Sequence, residues 1–274
     1  MIETVARVES NIEVAPGFRL LTLSFDRAIN PEVGQFAMMK PSGCLEPLLR
    51  RALAVYRVER PDKLSFLYQV LGRGTQALSL AVAGSMVDTL VPLGNGWPTQ
   101  SLTSSGRAIV VAGGIGSASV LMLCERLKRQ GVDTRVFFGA ANSDVALGCG
   151  LEDFKELALP LTVTTDDGSL GERGFVTAPL ERHLQAGDGA GATIYTCGPW
   201  AMMSRVAELA ARFDVRCYAS LEAPMGCGFG VCVGCVVAVK TDGGSDYGSY
   251  KRVCTDGSIF PAEQVRWEVN AMGH

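Results

Sequence analysis

Hydrophobic positions in roughly the first hundred residues recur with a period of two, in short runs separated by turn residues. Leu21, Leu23 and Phe25 alternate with polar Thr22 and Ser24, as in a half-buried strand. Similar extended runs cover Thr4 to Glu9, Phe18 to Phe25, Gly34 to Lys40, Arg50 to Val58, Lys63 to Leu71 and Ser85 to Leu93. Pro16-Gly17, Asn30-Pro31 and Pro61-Asp62 punctuate them, so an antiparallel β-barrel is expected over residues 1–103, with a short helix following Gly74, through Gln76 to Val82.

Over residues 104–219 the rhythm becomes strand, turn, helix. Ala108 to Ala112 reads as a buried strand, after which Val120, Leu123, Cys124 and Leu127 fall on one helical face. Arg135 to Gly139, Leu161 to Thr165, Thr193 to Thr196 and Val215 to Ala219 read as further strands, and Trp200 to Phe213 as a helix with Met203, Val206, Ala207 and Ala210 inward. Strands alternating with helices predict an α/β doubly wound, mostly parallel sheet. Residues 220–274 are rich in glycine and cysteine with little periodicity, and read as a small third domain that needs a cofactor to fold.

Composition narrows the function. With 25 basic and 28 acidic residues the net charge is −3, and no Lys or Arg run could track a phosphate backbone, which argues against nucleic acid. The uncharged stretch Ala108 to Cys124 is 17 residues long and broken by Gly113, Gly114 and Gly116, so it is read as strand, turn and helix, not as a membrane span. The opening MIETVARVES lacks a basic region followed by an apolar one; no secretory signal and a cytoplasmic location are expected. Only two histidines occur, so imidazole-based catalysis is disfavoured, and His183 reads as a solvated helix residue.

Three motifs carry chemistry. Cys227, Cys232 and Cys235 follow the spacing C-x4-C-x2-C, with Cys254 beyond them; four thiolates can hold two irons, and this is the plant-type [2Fe-2S] spacing. Gly226, Gly228, Gly230 and Gly234 allow the positive φ such a loop demands. A structural zinc site in a non-enzymatic interaction module is the competing reading, though zinc knuckles favour two C-x2-C pairs and only one is present. The run Gly113-Gly114-Ile115-Gly116, between a strand and a helix, suits a pyrophosphate, as does Cys197-Gly198 after a later strand of the same sheet. In the barrel, Arg51 at a strand end and Gly74-Thr75 opening a helix would suit another anionic group.

In this order, the segments LRRALAV, LYQVLGRGT, PLGNG, VAGGIG, TDDGSLGERGFVT, YTCGP and SLEAPMGCGFGVCVGC with VCTDGSIF resemble the ferredoxin-NADP reductase superfamily over nearly the whole chain. Within it they are most similar to the electron-transfer subunits of NAD-dependent (B-type) dihydroorotate dehydrogenases. The resemblance implies FAD contacts from Arg51, Ala52, Leu53, Ala54, Leu67, Tyr68, Gln69, Gly74 and Thr75. It implies NAD(H) across Gly113, Gly114 and Gly116, with Cys197 and Gly198 near the nicotinamide, and [2Fe-2S] ligation by Cys227, Cys232, Cys235 and Cys254. No side chain need act as acid or base in hydride transfer. The implied partner is an FMN-containing dihydroorotate dehydrogenase catalytic subunit in a heterotetramer of two plus two. The diaphorase subunit of a hydrogenase, sulfide dehydrogenase or ferredoxin-NAD transhydrogenase is an alternative of neighbouring class.

Two departures stand out. The family's Arg-Pro-hydrophobic-Ser is here Arg51-Ala52-Leu53-Ala54, losing a hydroxyl hydrogen bond ordinarily worth about 0.5 to 1.5 kcal/mol. Between Cys235 and Cys254 lie 18 residues, including the polar stretch Thr241 to Ser249. The segment Gly139 to Asp144 carries no Arg or Lys for a 2′-phosphate, and Asp144 could accept from a ribose hydroxyl. NADH is therefore predicted over NADPH; a higher kcat/KM for NADPH in dye reduction would refute this.

Overall fold

The computed structural model describes residues 1–43, 45–99, 106–240 and 249–270. The expected boundary at 103–104 and most of the polar stretch 241–249 lie outside the described residues. The first sheet is built from β1 (Ile2–Ala15), β2 (Phe18–Ser24), β3 (Phe36–Pro41), β4 (Arg51–Ala54), β5 (Arg57–Arg60), β6 (Lys63–Gln69) and β7 (Met86–Leu93). Its order is β4-β3-β7-β1-β2-β6-β5 and every pairing is antiparallel, giving a half-barrel filled by Leu21, Leu23, Phe66, Met39 and Val87.

Three elements differ from the sequence expectation. The run from Arg50 to Val58 splits into β4 and β5, because the chain changes partners at a corner: Val55 N–H donates to Gln35 O and Tyr56 N–H to Ser65 O. β1 runs on to Ala15, where pairing with β2 sustains it although Ile12 and Val14 are exposed. Helix α1 (Arg73–Ser79) takes in Arg73 and Gly74, ahead of the expected start, and ends before Val82; the Thr75 hydroxyl accepts from the N–H groups of Leu71 and Gly72 and caps the first turn.

The second sheet contains β8 (Arg107–Gly113), β9 (Asp133–Ala140), β10 (Leu161–Thr165), β11 (Glu172–Arg173), β12 (Ala192–Cys197), β13 (Arg216–Ser220) and β16 (Ile259–Pro261), in the order β11-β10-β9-β8-β12-β13-β16. All its pairings are parallel except β13 with β16. Helices α2 (Ser117–Arg129), α3 (Ser143–Gly148) and α4 (Leu151–Glu156) pack one face together with Phe18, Tyr56 and Leu67 of the half-barrel. Helices α5 (Thr177–Gln185) and α6 (Trp200–Arg212) cover the other. Among the described residues no helix is long and apolar enough to cross a membrane. His183 on α5 is not solvated as expected: its side chain is 15% exposed, its ring lies 5.5 Å from that of Phe137, and burial lowers its pKa.

The last segment is not set apart. Besides the hairpin β14 (Val236–Ala238) and β15 (Tyr250–Arg252), it sends β16 back as the edge of the second sheet, and the short helix α7 (Trp267–Asn270) follows. Asn95, beyond β7, donates to Ile259 O and accepts from Ile259 N, both at 2.9 Å. A buried cluster of Phe36, Met38 and Leu93 with Met203, Cys235, Val253 and Phe260 joins all three parts of the chain.

The sheet order reverses direction between β8 and β12, whose following turns lie side by side. A Cβ on Gly116 would come within 2.5 Å of Cys197 C and O and of Gly198 N, so the two backbones touch with no room for a side chain. Gly116→Ala should therefore destabilise the fold by about 1 to 3 kcal/mol, read as a lower thermal unfolding midpoint. An unchanged midpoint would show that these turns can part without cost.

Candidate functional site

Two clefts open at the carboxyl ends of the parallel strands, where ligands of such sheets bind. The first, of about 260 Å³, lies between the half-barrel and the turns after β8 and β12. Ala52, Leu53 and Ala54 of β4, Leu67, Tyr68 and Gln69 of β6, and Thr75 of α1 line it. Arg51 and Gly74 lie beside it as a pair: a Cβ on Gly74 would overlap the Arg51 guanidinium, which donates to Leu49 O at 2.8 Å. The nine half-barrel positions expected to hold flavin are thus brought together around one cleft and its rim.

Cys197 lines the same cleft from the opposite wall. Burial raises its pKa and keeps it a thiol. The far wall was missed in the sequence: Ser220 to Ala223, Met225 and Ser258 come from the last segment, and Ser119 from α2. The sequence signal of Ser220 to Met225 was position immediately before the cysteines, without periodicity. Ser119, Ser220 and Ser258 form a hydroxyl chain, Ser119 donating to Ser220 at 3.3 Å and Ser220 to Ser258 at 3.5 Å. These hydroxyls stand in the cleft where Ala54 supplies none.

The second cleft, of about 500 Å³, lies on the other side of the touching turns. Gly113 and Gly114 line it, with Gly139 to Ala141 after β9 and Pro199 before α6. Gly116 and Gly198 do not; they hold the two turns together. Asp144 departs from expectation as well, being exposed on the first turn of α3 and absent from the lining, where Val145 and Asp166 stand instead.

The cysteine loop begins where the first cleft ends, Met225 being shared between them. Met225 is accordingly half-buried, whereas Phe229, Val231 and Val233 are 43%, 73% and 56% exposed. Left-handed backbone occurs at Gly228, Gly230 and Val233, not at Gly226 or Gly234. A β-branched residue there costs about 1 to 3 kcal/mol and persists only where its surroundings impose it. Gly228 packs so closely on Met38 and Leu93 that a Cβ would overlap Met38, which anchors the loop to the half-barrel.

Burial opposes ionisation of Cys227, but the N–H groups of Cys232, Phe229 and Val231 point at its sulfur and bring the thiol down to about 6. Cys254 is pushed up to about 12 by burial and by the adjoining Cys235. The thiols thus meet in two pairs, Cys227 with Cys232 and Cys235 with Cys254. Among the described residues no three His, Cys, Asp or Glu side chains gather as a metal ion needs. A two-iron cluster takes two thiolates on each iron, and N–H groups aimed at sulfur tune its potential, so the donor set fits one.

Residues 222–266 match the family model for the iron-sulfur cluster binding domain of dihydroorotate dehydrogenase B. The chain is 37% identical over 236 residues to the dihydroorotate dehydrogenase B (NAD(+)) electron transfer subunit of Desulforamulus reducens, covering 86% of this chain and 87% of that protein. It is 35% identical over 260 residues to the subunit of the same name from Caldanaerobacter subterraneus subsp. tengcongensis, covering 95% and 97%. The solved structure of an NADH-dependent reduced ferredoxin-NADP oxidoreductase, studied for flavin-based electron bifurcation, superposes with a TM-score of 0.81 at 25% identity, over 97% of this chain and 91% of that one. The ferredoxin reductase of carbazole 1,9a-dioxygenase shares the fold, with a TM-score of 0.66 at 19% identity over 78% of this chain and 66% of that one. With these identities over most of both chains, the chain belongs to the family of dihydroorotate dehydrogenase B electron transfer subunits.

Proposed function

We propose that the chain carries electrons between NAD(H) and a catalytic dihydroorotate dehydrogenase subunit in pyrimidine biosynthesis. The observation that carries this reading is the continuity of the cysteine loop with the first cleft through Met225, which puts two redox sites in one packed body. Residues 1–103 hold FAD, 104–219 the nicotinamide nucleotide and 220–274 the [2Fe-2S] cluster. FAD exchanges two electrons with the nucleotide and one at a time with the cluster.

The protein's own contribution is placement. Ala52 to Ala54 and Leu67 to Gln69 give an apolar slot for a flat ring, while Arg51 over Gly74 supplies positive charge for a pyrophosphate. Cys197 adds only a small thiol to the wall of the first cleft, and with Gly198 behind it would stand near a bound nicotinamide. Cys227, Cys232, Cys235 and Cys254 are the cluster ligands, and the N–H groups around Cys227 favour its thiolate form. The partner holds FMN and oxidises dihydroorotate, the assembly is a heterotetramer of two plus two, and the location is cytoplasmic. The likeness to the NADH-dependent reduced ferredoxin-NADP oxidoreductase supports a second reading, a diaphorase subunit of another redox complex.

A visible spectrum with flavin and [2Fe-2S] bands, followed by NAD-linked dihydroorotate oxidation with the candidate partner, tests the first reading; turnover only with a different acceptor favours the second. Cys232→Ser should abolish the cluster bands and transfer to the partner while sparing NADH-to-dye turnover. A full cluster spectrum in that variant would remove Cys232 from the ligand set. Phe229→Asp should weaken subunit association by about 1 to 3 kcal/mol without bleaching the cluster, as expected for charging an interface anchor. Unchanged association by calorimetry would place the docking surface elsewhere.

A further inference from the structure

The wall of the first cleft that faces the half-barrel carries three hydroxyls in series, and the series has a free end. Ser119 comes from the first turn of α2, Ser220 is the last residue of β13, and Ser258 directly precedes β16. All three line the cleft, and they are 6%, 5% and 7% exposed. Ser119 donates to Ser220 at 3.3 Å and Ser220 to Ser258 at 3.5 Å, while among the described residues Ser258 donates to nothing. A buried hydroxyl proton is thus left without an acceptor at the cleft, a state that costs free energy until something accepts it.

The backbone around this free end is fixed. Leu221 N–H donates to Ser258 O at 2.8 Å, and Ser220 pairs with Cys197 of β12 on one side and with Ile259 of β16 on the other. Elsewhere the lining has its polar groups committed or near solvent. Ala52, Leu53, Ala54 and Leu67 are apolar, Tyr68 OH donates to Asn11 Oδ1 at 3.1 Å, and the Thr75 hydroxyl donates to Gly72 O at 3.1 Å inside its own turn. Gln69 is half-buried and Glu222 exposed.

We infer that Ser258, polarised by Ser220 and through it by Ser119, donates a hydrogen bond to an acceptor on the polar edge of a flavin ring, in place of the hydroxyl that β4 lacks at Ala54. The inference rests on the reading that this cleft holds FAD. A flavin ring is apolar on its faces and carries carbonyl oxygens and unprotonated nitrogens along one edge. The slot between β4 and β6 suits the faces and leaves that edge without a donor, which Ser258 supplies from the opposite wall. Hydroxyls in series polarise one another, so the last donates more strongly than a lone serine. Ser258 is then a binding residue, and Ser220 and Ser119 are positioning residues that act through it.

The test uses the chain with its cluster in place, stripped of FAD and titrated with it. Wild type is compared with Ser258→Ala, Ser119→Ala, Ala54→Ser and the double variant Ser258→Ala with Ala54→Ser. Calorimetry gives the FAD Kd, the visible spectrum gives the position of the bound flavin's band, and thermal unfolding without FAD reports on the fold itself. Ser258→Ala should raise Kd about two- to tenfold, the scale of one neutral hydrogen bond, and shift the band, with the FAD-free unfolding midpoint near that of wild type. Ser119→Ala should act in the same direction and by less. Ala54→Ser should restore the affinity lost in Ser258→Ala while adding little to wild type, the non-additivity of two donors serving one edge. If Ser258→Ala keeps the wild-type Kd and band, the inference is overturned, and a lowered FAD-free midpoint beside that unchanged Kd would assign the hydroxyls to packing alone. An affinity loss that Ala54→Ser leaves unrestored overturns the exchange of roles with β4. Wild type that takes up no FAD overturns the flavin reading of the cleft, and the inference with it.

Discussion

The two clefts of this chain lie on either side of two turns that touch. Parallel neighbours β8 and β12 end side by side, and Gly116 lies against the Cys197 and Gly198 backbone with no Cβ between them. Because nothing but main chain fills that contact, it forms a thin partition. Cys197 faces one cleft and Gly113 and Pro199 the other, so occupants of the two clefts can be separated by little more than a peptide.

The cysteine loop is held to the same frame by packing. Gly228 lies on Met38 and Leu93 of the half-barrel, and Cys235 and Cys254 are buried with Phe36, Met203 and Phe260 from the other two parts of the chain. Val233 within this loop adopts left-handed backbone although it is β-branched, a conformation that costs about 1 to 3 kcal/mol. Rigidity of this kind suits electron transfer, where the distance between donor and acceptor should not wander.

Much of this was legible in the sequence, for physical reasons that also explain the omissions. Period-two alternation revealed the half-barrel because one face of each strand is buried, and the apolar runs revealed β8 and β12 because both of their faces are. The corner at Val55 and Tyr56 stayed hidden because both residues are as apolar as the strands they separate; what breaks the strand is a change of hydrogen-bond partner. Asp144 was read as a ribose acceptor from its place in a segment without Arg or Lys, yet the residues reaching the cleft depend on how the loop after β10 folds back, which has no period to read. The last segment was the least legible. Ser220 to Met225 and Ser258 have neither alternation nor a helical stripe, and their place on the wall of the first cleft is set by long-range contacts.

The route of β16 has a consequence for how such a protein can be inherited or rebuilt. Ile259 to Pro261 complete the second sheet against β13, and both backbone groups of Ile259 are clasped by Asn95 at the exit of the half-barrel. The chain therefore passes out through the cysteine loop and returns to close the part it left. A recombination event that cut at residue 220 would not deliver a portable cassette. It would leave the donor's sheet one strand short and strand Asn95 without its mate, so the redox segment and the reductase body are expected to be exchanged among relatives as one piece or not at all.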